Sequence, residues 1–367
     1  MKNSRKLEFI WHKQIAKQSG LFYLILKIFS GIYFCIIWLK HKASELKLIP
    51  VKTFDNRSII SVGNITVGGT GKTPMVEYIS NLMTELNMKT VIVSRGYGSQ
   101  TIDDTRVRIV SNGRDLLLKQ VEAGDEPYML ALKLKKIPII VNKNRIKAID
   151  AAINLFDPEI ILLDDGFQRL NLKKNIEILM FDGTADLKLY KMFPAGILRD
   201  LPSAMRRADV CVINKIRMSE ANPNLIDFIR FHNNSIPIFF SNYKLSSLHR
   251  LTDDSHVNFP EIENKSVTLF AGIGNVKKFK DMVKTAFKPK TINFIKFPDH
   301  HNYNPVDVKR IQLFCKISDY VITTYKDAVK LKDKFDYFNN ILYTVIDMEM
   351  EDEQSFKDVI HYYLKDE

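Results

Sequence analysis

Residues 61–74 read Ser61-Val-Gly-Asn-Ile-Thr-Val-Gly-Gly-Thr-Gly-Lys-Thr-Pro74, after an apolar run and before a helix-length amphipathic stretch. Gly68, Gly69 and Gly71 let backbone N–H groups curl around a phosphate, Lys72 has the reach for β- and γ-phosphate oxygens, and the Thr73 hydroxyl suits Mg2+. The helix start adds its own positive end. The strict form of such a loop carries glycine six residues before the lysine, where this chain has Thr66. The expected phosphate cradle is therefore Thr66, Val67, Gly68, Gly69, Thr70, Gly71, Lys72 and Thr73. A second cluster, Asp164 and Asp165, closes another apolar run. Acids at the C-terminal end of a parallel strand face the ligand crevice and can hold Mg2+ directly or through water. Loop and acids together imply nucleotide chemistry. They leave open a GTPase switch, a motor ATPase and a small-molecule kinase. A guanine reader wants Asn-Lys-x-Asp, whereas Asn214-Lys-Ile-Arg217 lacks the acid, which favours adenine.

Four further clusters carry reactive side chains: Ser94-Arg-Gly-Tyr-Gly98, Gly124-Asp-Glu-Pro127, Phe193-Pro-Ala-Gly-Ile-Leu-Arg199 and Phe297-Pro-Asp-His-His-Asn-Tyr303. Each alone has a plain structural reading. Asp125 suits a helix start, Arg95 and Arg199 a solvated surface, and His300 a loop.

The elements that must position these residues are short β-branched runs alternating with amphipathic stretches. Strands are expected at 58–63, 90–94, 107–110, 137–141, 159–164, 176–181, 209–213 and 236–240, with helices such as 74–88 and 126–135 between them. Several runs are apolar throughout, as a parallel sheet covered on both faces demands. The expected class is α/β, doubly wound, with a parallel-dominated sheet. Residues 242–265 lose their period and read as a linker or long loop. A smaller α/β unit follows, with strands at 266–271, 292–297 and 320–324 and a charged helical tail. The expected division is 1–50, membrane-associating; 51–242, nucleotide-binding core; and 243–367, a second α/β domain.

A chain of 367 residues with 46% hydrophobic content is neither a disordered tail nor a stapled miniprotein. Cys35, Cys211 and Cys315 lie far apart, without CxxC or Cys/His spacing, which points to a reduced compartment and away from structural zinc. The net charge of +12 raises nucleic acid as a partner, but ten Lys/Arg against Glu8 and Glu45 fall within the first 52 residues. The excess sits beside residues 21–39, an apolar stretch interrupted by Lys27, Ser30 and Gly31. Three readings stand in falling order: a helix lying in the membrane interface, a true anchor, and a helix docked on the core. The charge then reads as an address for anionic lipid, with no nucleic-acid partner.

Taken in order, residues 61–74, 94–98, 124–127, 164–168, 194–199, 271–275 and 298–300, with the basic apolar N-terminus, resemble the tetraacyldisaccharide 4′-kinase family. These are the lipid A 4′-kinases of Gram-negative bacteria, and the non-glycine at the first loop position resembles that family's own variant. The resemblance implies a P-loop kinase fold and ATP-dependent phosphorylation of the 4′-hydroxyl of an acylated glucosamine disaccharide 1-phosphate. It implies ATP and Mg2+ as cofactors and a place at the cytoplasmic face of the inner membrane. By position, Lys72 and Thr73 would hold phosphates and metal, with Asp164, Asp165 and Glu126 around the metal. Asp125 would be the base, with His300 from the second domain tuning or relaying its proton and His301 mattering less. Arg95, Arg145 and Arg199 would meet substrate phosphate or transition-state charge, and Asn64 and Gln168 complete the substrate-binding set. Two positions depart from the family: Arg169 where histidine is common, and Tyr325 where an acid is usual. The alternative is a membrane-associated P-loop ATPase driving assembly or positioning. Removing residues 1–40 is expected to spare the nucleotide site, provided that segment does not pack on the core.

Overall fold

The computed structural model describes residues 11, 15–97, 99, 105–274, 276–298, 301–335 and 338–365. Contacts divide the chain into two units, Met1–Asn242 with Met348–Glu367, and Tyr243–Asp347. The segment from Met348 belongs with the first unit, so the expected domain 243–367 is shortened at its C-terminal end.

The first unit holds β1 (Ser58–Gly63), β2 (Thr90–Ser94), β3 (Arg108–Asn112), β4 (Pro138–Val141), β5 (Ile160–Asp164), β6 (Ile176–Asp182), β7 (Val210–Asn214) and the start of β8 (Ile238–Arg250). Their order is β8-β7-β6-β1-β5-β2-β4-β3. Neighbours run parallel except β3, which is antiparallel to β4 and forms the edge. Strands β2, β5 and β7 are buried at every residue, which accounts for their unbroken apolar runs. Numbering only helices longer than one turn, the unit carries α1 (Leu21–Glu45), α2 (Lys72–Glu85), α3 (Asp125–Lys133), α4 (Arg145–Phe156) and α5 (Pro223–His232). The chain also returns to this unit as a C-terminal helix, Glu353–Lys365. There Phe356 packs on Tyr78 of α2 and on Phe239.

The second unit contains β9 (Ser266–Ala271), β10 (Thr291–Lys296), β11 (Tyr320–Thr324) and most of β12 (Ile341–Met350). Here β9 pairs in parallel with β10 and β11, and β11 with β12. Helix α6 (Val276–Phe287) and helix α7 (Pro305–Ile317) cover different core clusters. Phe279 and Val283 pack with Val267 and Leu269. Ile311 and Cys315 pack with Phe270 and Val321. Residues 242–250, expected as linker, continue β8 as ordered strand. Ser246, Ser247, His249 and Arg250 hid it by breaking the apolar run. Asp347 and Glu349 did the same for β12.

Helix α1 is long and apolar enough to cross a membrane, yet one of its faces is docked on the protein. Tyr23, Leu26 and Ser30 are buried, and Tyr23 and Leu26 pack with Ile15, Ala195 and Ile197. The opposite side leaves Leu24, Ile25, Ile28, Phe29, Ile32 and Ile36 between 41 and 61% exposed. The docked reading, ranked last from sequence, therefore holds for one face of the helix. The other face keeps the apolar surface of a lipid contact.

Candidate nucleotide and acceptor site

The site forms where β1, β2 and β5 end on the same side of the sheet. Residues 64–71 leave β1 and feed α2, with Gly68 and Gly71 in left-handed conformation (φ 109° and 96°) that only glycine adopts without strain. A Cβ at Gly68 or Gly69 would meet nothing within 4 Å, so this arc of backbone is open to a ligand. Its floor is braced from within. Asn64 is fully buried, and its Nδ2 donates to Thr70 Oγ1 at 3.1 Å and Thr66 Oγ1 at 3.4 Å. Asn214 Nδ2 donates to the Thr70 carbonyl at 2.9 Å, and Lys215 bonds the Gly69 carbonyl and Asp182. Thr66 bridges Leu198, while Val67 N donates to the Ile197 carbonyl at 2.7 Å. The turn 194–199 thereby pins the half of the loop that lacks the usual first glycine.

Lys72 opens α2 with its ammonium 3.4 Å from Asn64 Oδ1 and 3.7 Å from Asp165 Oδ1; Thr73 follows it in the first turn. Arg199 forks onto both oxygens of Asp165 and also reaches the side chain and carbonyl of Asn64. Burial alone would raise the Asp165 pKa, but Arg199 and Lys72 outweigh it and hold the carboxyl at about 2. Asp165 was expected to ligate metal. Both of its oxygens accept from Arg199, and Oδ1 also lies near the Lys72 ammonium.

Asp164 behaves in the opposite way. It is 3% exposed, Oδ2 accepts from Ser94 Oγ at 3.1 Å, and Oδ1 is buried without a partner. Burial, then the charges of Glu126 and Asp165, push its carboxyl up to about 7. A buried carboxyl oxygen without a hydrogen-bond partner fits a hard cation, which would bind the ionised form, and Mg2+ at a phosphate site takes only one or two carboxylates from protein. Among the described residues no group of three His, Cys, Asp or Glu forms a metal cage. Unfolded, Asp164 titrates near pH 4. Between about pH 4 and pH 7 the folded protein keeps a proton that the unfolded chain has lost, so stability falls as pH rises through that window. Asp164→Asn is expected to raise the nucleotide-free melting temperature by several degrees at pH 8, with little change at pH 5. Scanning fluorimetry measures both; equal shifts at the two pH values would remove the charge explanation.

Asp125 begins α3, half-buried, with Gln120 Nε2 3.0 Å from its Oδ1. Gly124 precedes it at φ 90°, where a Cβ would fall 2.6 Å from the Tyr97 carbonyl. That close approach ties the start of α3 to the end of β2. Glu126 and Arg95 are exposed. Lys133 of α3 pairs with Glu77 of α2 at 2.8 Å, fixing the helix of Asp125 against the helix of Lys72. Arg145, expected at the substrate, is 2% exposed and donates to the carbonyls of Asn142 at 2.7 Å and Asp164 at 3.2 Å; it shapes the loops instead. Asn64, also expected to bind substrate, is the internal brace described above. Gln168 Nε2 donates to the Asn64 carbonyl at 2.8 Å. Arg169 donates to the Lys143 carbonyl at 3.0 Å and lines a cavity of about 290 Å3 with Lys143, Arg145 and Asn171. His300 lies outside the described residues. In the second unit His301 bonds Asp307 at 2.8 Å and stacks on Phe297, while Tyr325 packs on Tyr343.

Helix α1 reaches this site through its polar side. Tyr33 donates to the Arg199 carbonyl at 2.9 Å, Lys40 to the Gln168 carbonyl at 2.9 Å, and His41 meets Asp200 at 2.6 Å. Asp200 is buried beside Arg199, and no sequence signal marked it. Helix α1 thus packs on the core, so the proviso under which removing residues 1–40 would spare the site is not met. Their removal is expected to lower kcat about tenfold on a water-soluble, short-chain acceptor, because small displacements of positioning groups are costly. An unchanged kcat on that acceptor would show that α1 serves the membrane alone.

The profile of the tetraacyldisaccharide-1-P 4′-kinase family matches residues 22–365. The tetraacyldisaccharide 4′-kinase of Halothermothrix orenii is 34% identical over 359 residues, covering 92% of both chains. That of Geobacter sulfurreducens is 32% identical, covering 88% of both. The crystal structure of Aquifex aeolicus LpxK in complex with ATP superposes with a TM-score of 0.74 at 28% identity, spanning 94% of this chain and all of that one. With its loop, acids and arginine assembled on such a sheet and matched over nearly its whole length, the chain belongs to the tetraacyldisaccharide-1-P 4′-kinase family.

Proposed function

We infer that this chain is an ATP-dependent kinase of lipid A biosynthesis, transferring the γ-phosphoryl group of ATP to the 4′-hydroxyl of an acylated glucosamine disaccharide 1-phosphate. The observation that carries the site assignment is Lys72 and Arg199 converging on Asp165 at the mouth of the glycine loop. Phosphoryl transfer requires positioning and charge neutralisation more than covalent participation. Backbone N–H groups of residues 68–71 and the α2 N-terminus would cradle the phosphates. Lys72 would neutralise the transferring group, and Arg199, aimed by Asp165, would meet charge developing on its oxygens. Asp164 and Thr73 would hold Mg2+, which would supply Lewis-acid neutralisation of the phosphates, and Glu126 would help organise it. Asp125 would take the hydroxyl proton as the new O–P bond forms and the bond to ADP breaks. His300 is proposed to tune that proton transfer, and Arg95, exposed at the end of β2, to meet acceptor phosphate.

The exposed face of α1 supports a seat in the membrane interface, with the basic N-terminal segment drawn to anionic lipid at the cytoplasmic leaflet. A helix bonded to the protein body at Ser30, Tyr33, Lys40 and His41 lies along that body. The test is mass spectrometry of the disaccharide 1-phosphate incubated with protein and MgATP. A gain of one phosphate is expected; ATP turnover indifferent to the lipid would instead favour the assembly ATPase.

A further inference from the structure

Helix α7 has two chemically distinct faces. Ile311 is fully buried and Cys315 nearly so, against the sheet of the second unit. On the opposite side Val306, Leu313 and Ile317 are 75, 62 and 71% exposed. Spacings of seven and four residues align these three along one line of the helix. Lys309, Arg310 and Lys316, all exposed, flank that line. The single acid of the helix, Asp307, is engaged by His301 and the Asn304 backbone. Scattered aliphatic side chains on a surface need no explanation. An aligned set bordered by cations is the pattern of a helix that lies on lipid.

We propose that the outward face of α7 is a second lipid-contact surface, seating on an anionic bilayer with Val306, Leu313 and Ile317 inserted and Lys309, Arg310 and Lys316 at the headgroups. The proposal rests on the reading in which the acceptor is a bilayer lipid. Charge complementarity selects the bilayer over a protein partner, since protein interfaces are depleted in lysine at their centres, whereas each cation here gains from an anionic leaflet. Residues 243–347 as a whole carry 17 Lys/Arg against 12 Asp/Glu.

The test uses the full chain carrying Cys35→Ser and Leu313→Cys, labelled with an environment-sensitive fluorophore; Cys211 and Cys315 are buried. With phosphatidylcholine vesicles containing 30% phosphatidylglycerol, the label is expected to shift to the blue and to be quenched by brominated acyl chains. The same label at Lys277→Cys on α6 is expected to stay aqueous. Adding Lys309→Glu, Arg310→Glu and Lys316→Glu should cut the shift at least fivefold. Native Cys35, labelled separately, reports the seating of α1. A position-313 label that remains aqueous while the Cys35 label shifts overturns the proposal. So does a shift at 313 without vesicles, which marks a protein contact, or an equal shift on phosphatidylcholine alone. The vesicles hold no disaccharide, so a protein that seats α7 but transfers no phosphate upholds this surface and sinks only the kinase reading.

Discussion

Lys72→Ala is expected to lower kcat at least a hundredfold, about 3 kcal/mol of transition-state stabilisation, while leaving the fold intact. The geometry separates these two effects. Asn64 and Asp165, the neighbours of the Lys72 ammonium, are each held independently by Arg199, and Asn64 also by Thr70. Truncation therefore leaves no buried group without a partner, and the melting temperature should move by no more than about 2 °C. What disappears is a cation at the mouth of the loop, where charge shifts as the phosphoryl group leaves. Steady-state kinetics and scanning fluorimetry on one preparation check both halves. A kcat within fivefold of the native value would remove Lys72 from the transition state. Lys72→Arg is expected to rescue little, because a planar fork does not reproduce a compact ammonium at that depth.

The second large effect is expected at Asp125. Asp125→Asn keeps the size of the side chain and its bond from Gln120 but abolishes its basicity, so a drop of a hundredfold or more in kcat should come with a nearly unchanged KM for ATP. A purely structural role would be rescued by asparagine, which separates the two explanations. Near-normal turnover in this variant would take Asp125 out of the base role. His301 offers a contrast, since its bond to Asp307 and its stacking on Phe297 place it in the fabric of the second unit. Its loss should appear first in stability.

The local form of the glycine loop and its neighbours was legible because backbone geometry and charge dictate it: glycines at the turn, a lysine and threonine at a helix start, acids closing a buried strand. The division of labour between Asp164 and Asp165 was not. They are adjacent in sequence, but Asp164 ends β5 and faces Ser94, whereas Asp165 has left the strand in a left-handed turn conformation (φ 62°) and reaches Arg199. Asn64 and Arg145 carried the polarity of ligand-binding residues, yet tertiary packing turned both inward. Asn214 and Lys215, read only as an incomplete guanine motif, proved to brace the glycine loop from two strands away. Residues 242–250 were mistaken for linker because a strand with polar side chains on its open face lacks the apolar run that marks a central one. The contacts of α1 with residues 188–200 had no local signal at all.

That last set of contacts bears on how the protein is made. Trp11 bonds Pro194 and His41 bonds Asp200, spanning 183 and 159 residues. At 5–20 residues per second, synthesis reaches the docking turn on the order of ten seconds after α1 has left the ribosome. Throughout that interval Tyr23 and Leu26 have no protein surface to cover them, and the apolar flank that stays exposed after folding is bare as well. The nascent helix therefore needs a bilayer or a chaperone to cover it before its own domain exists.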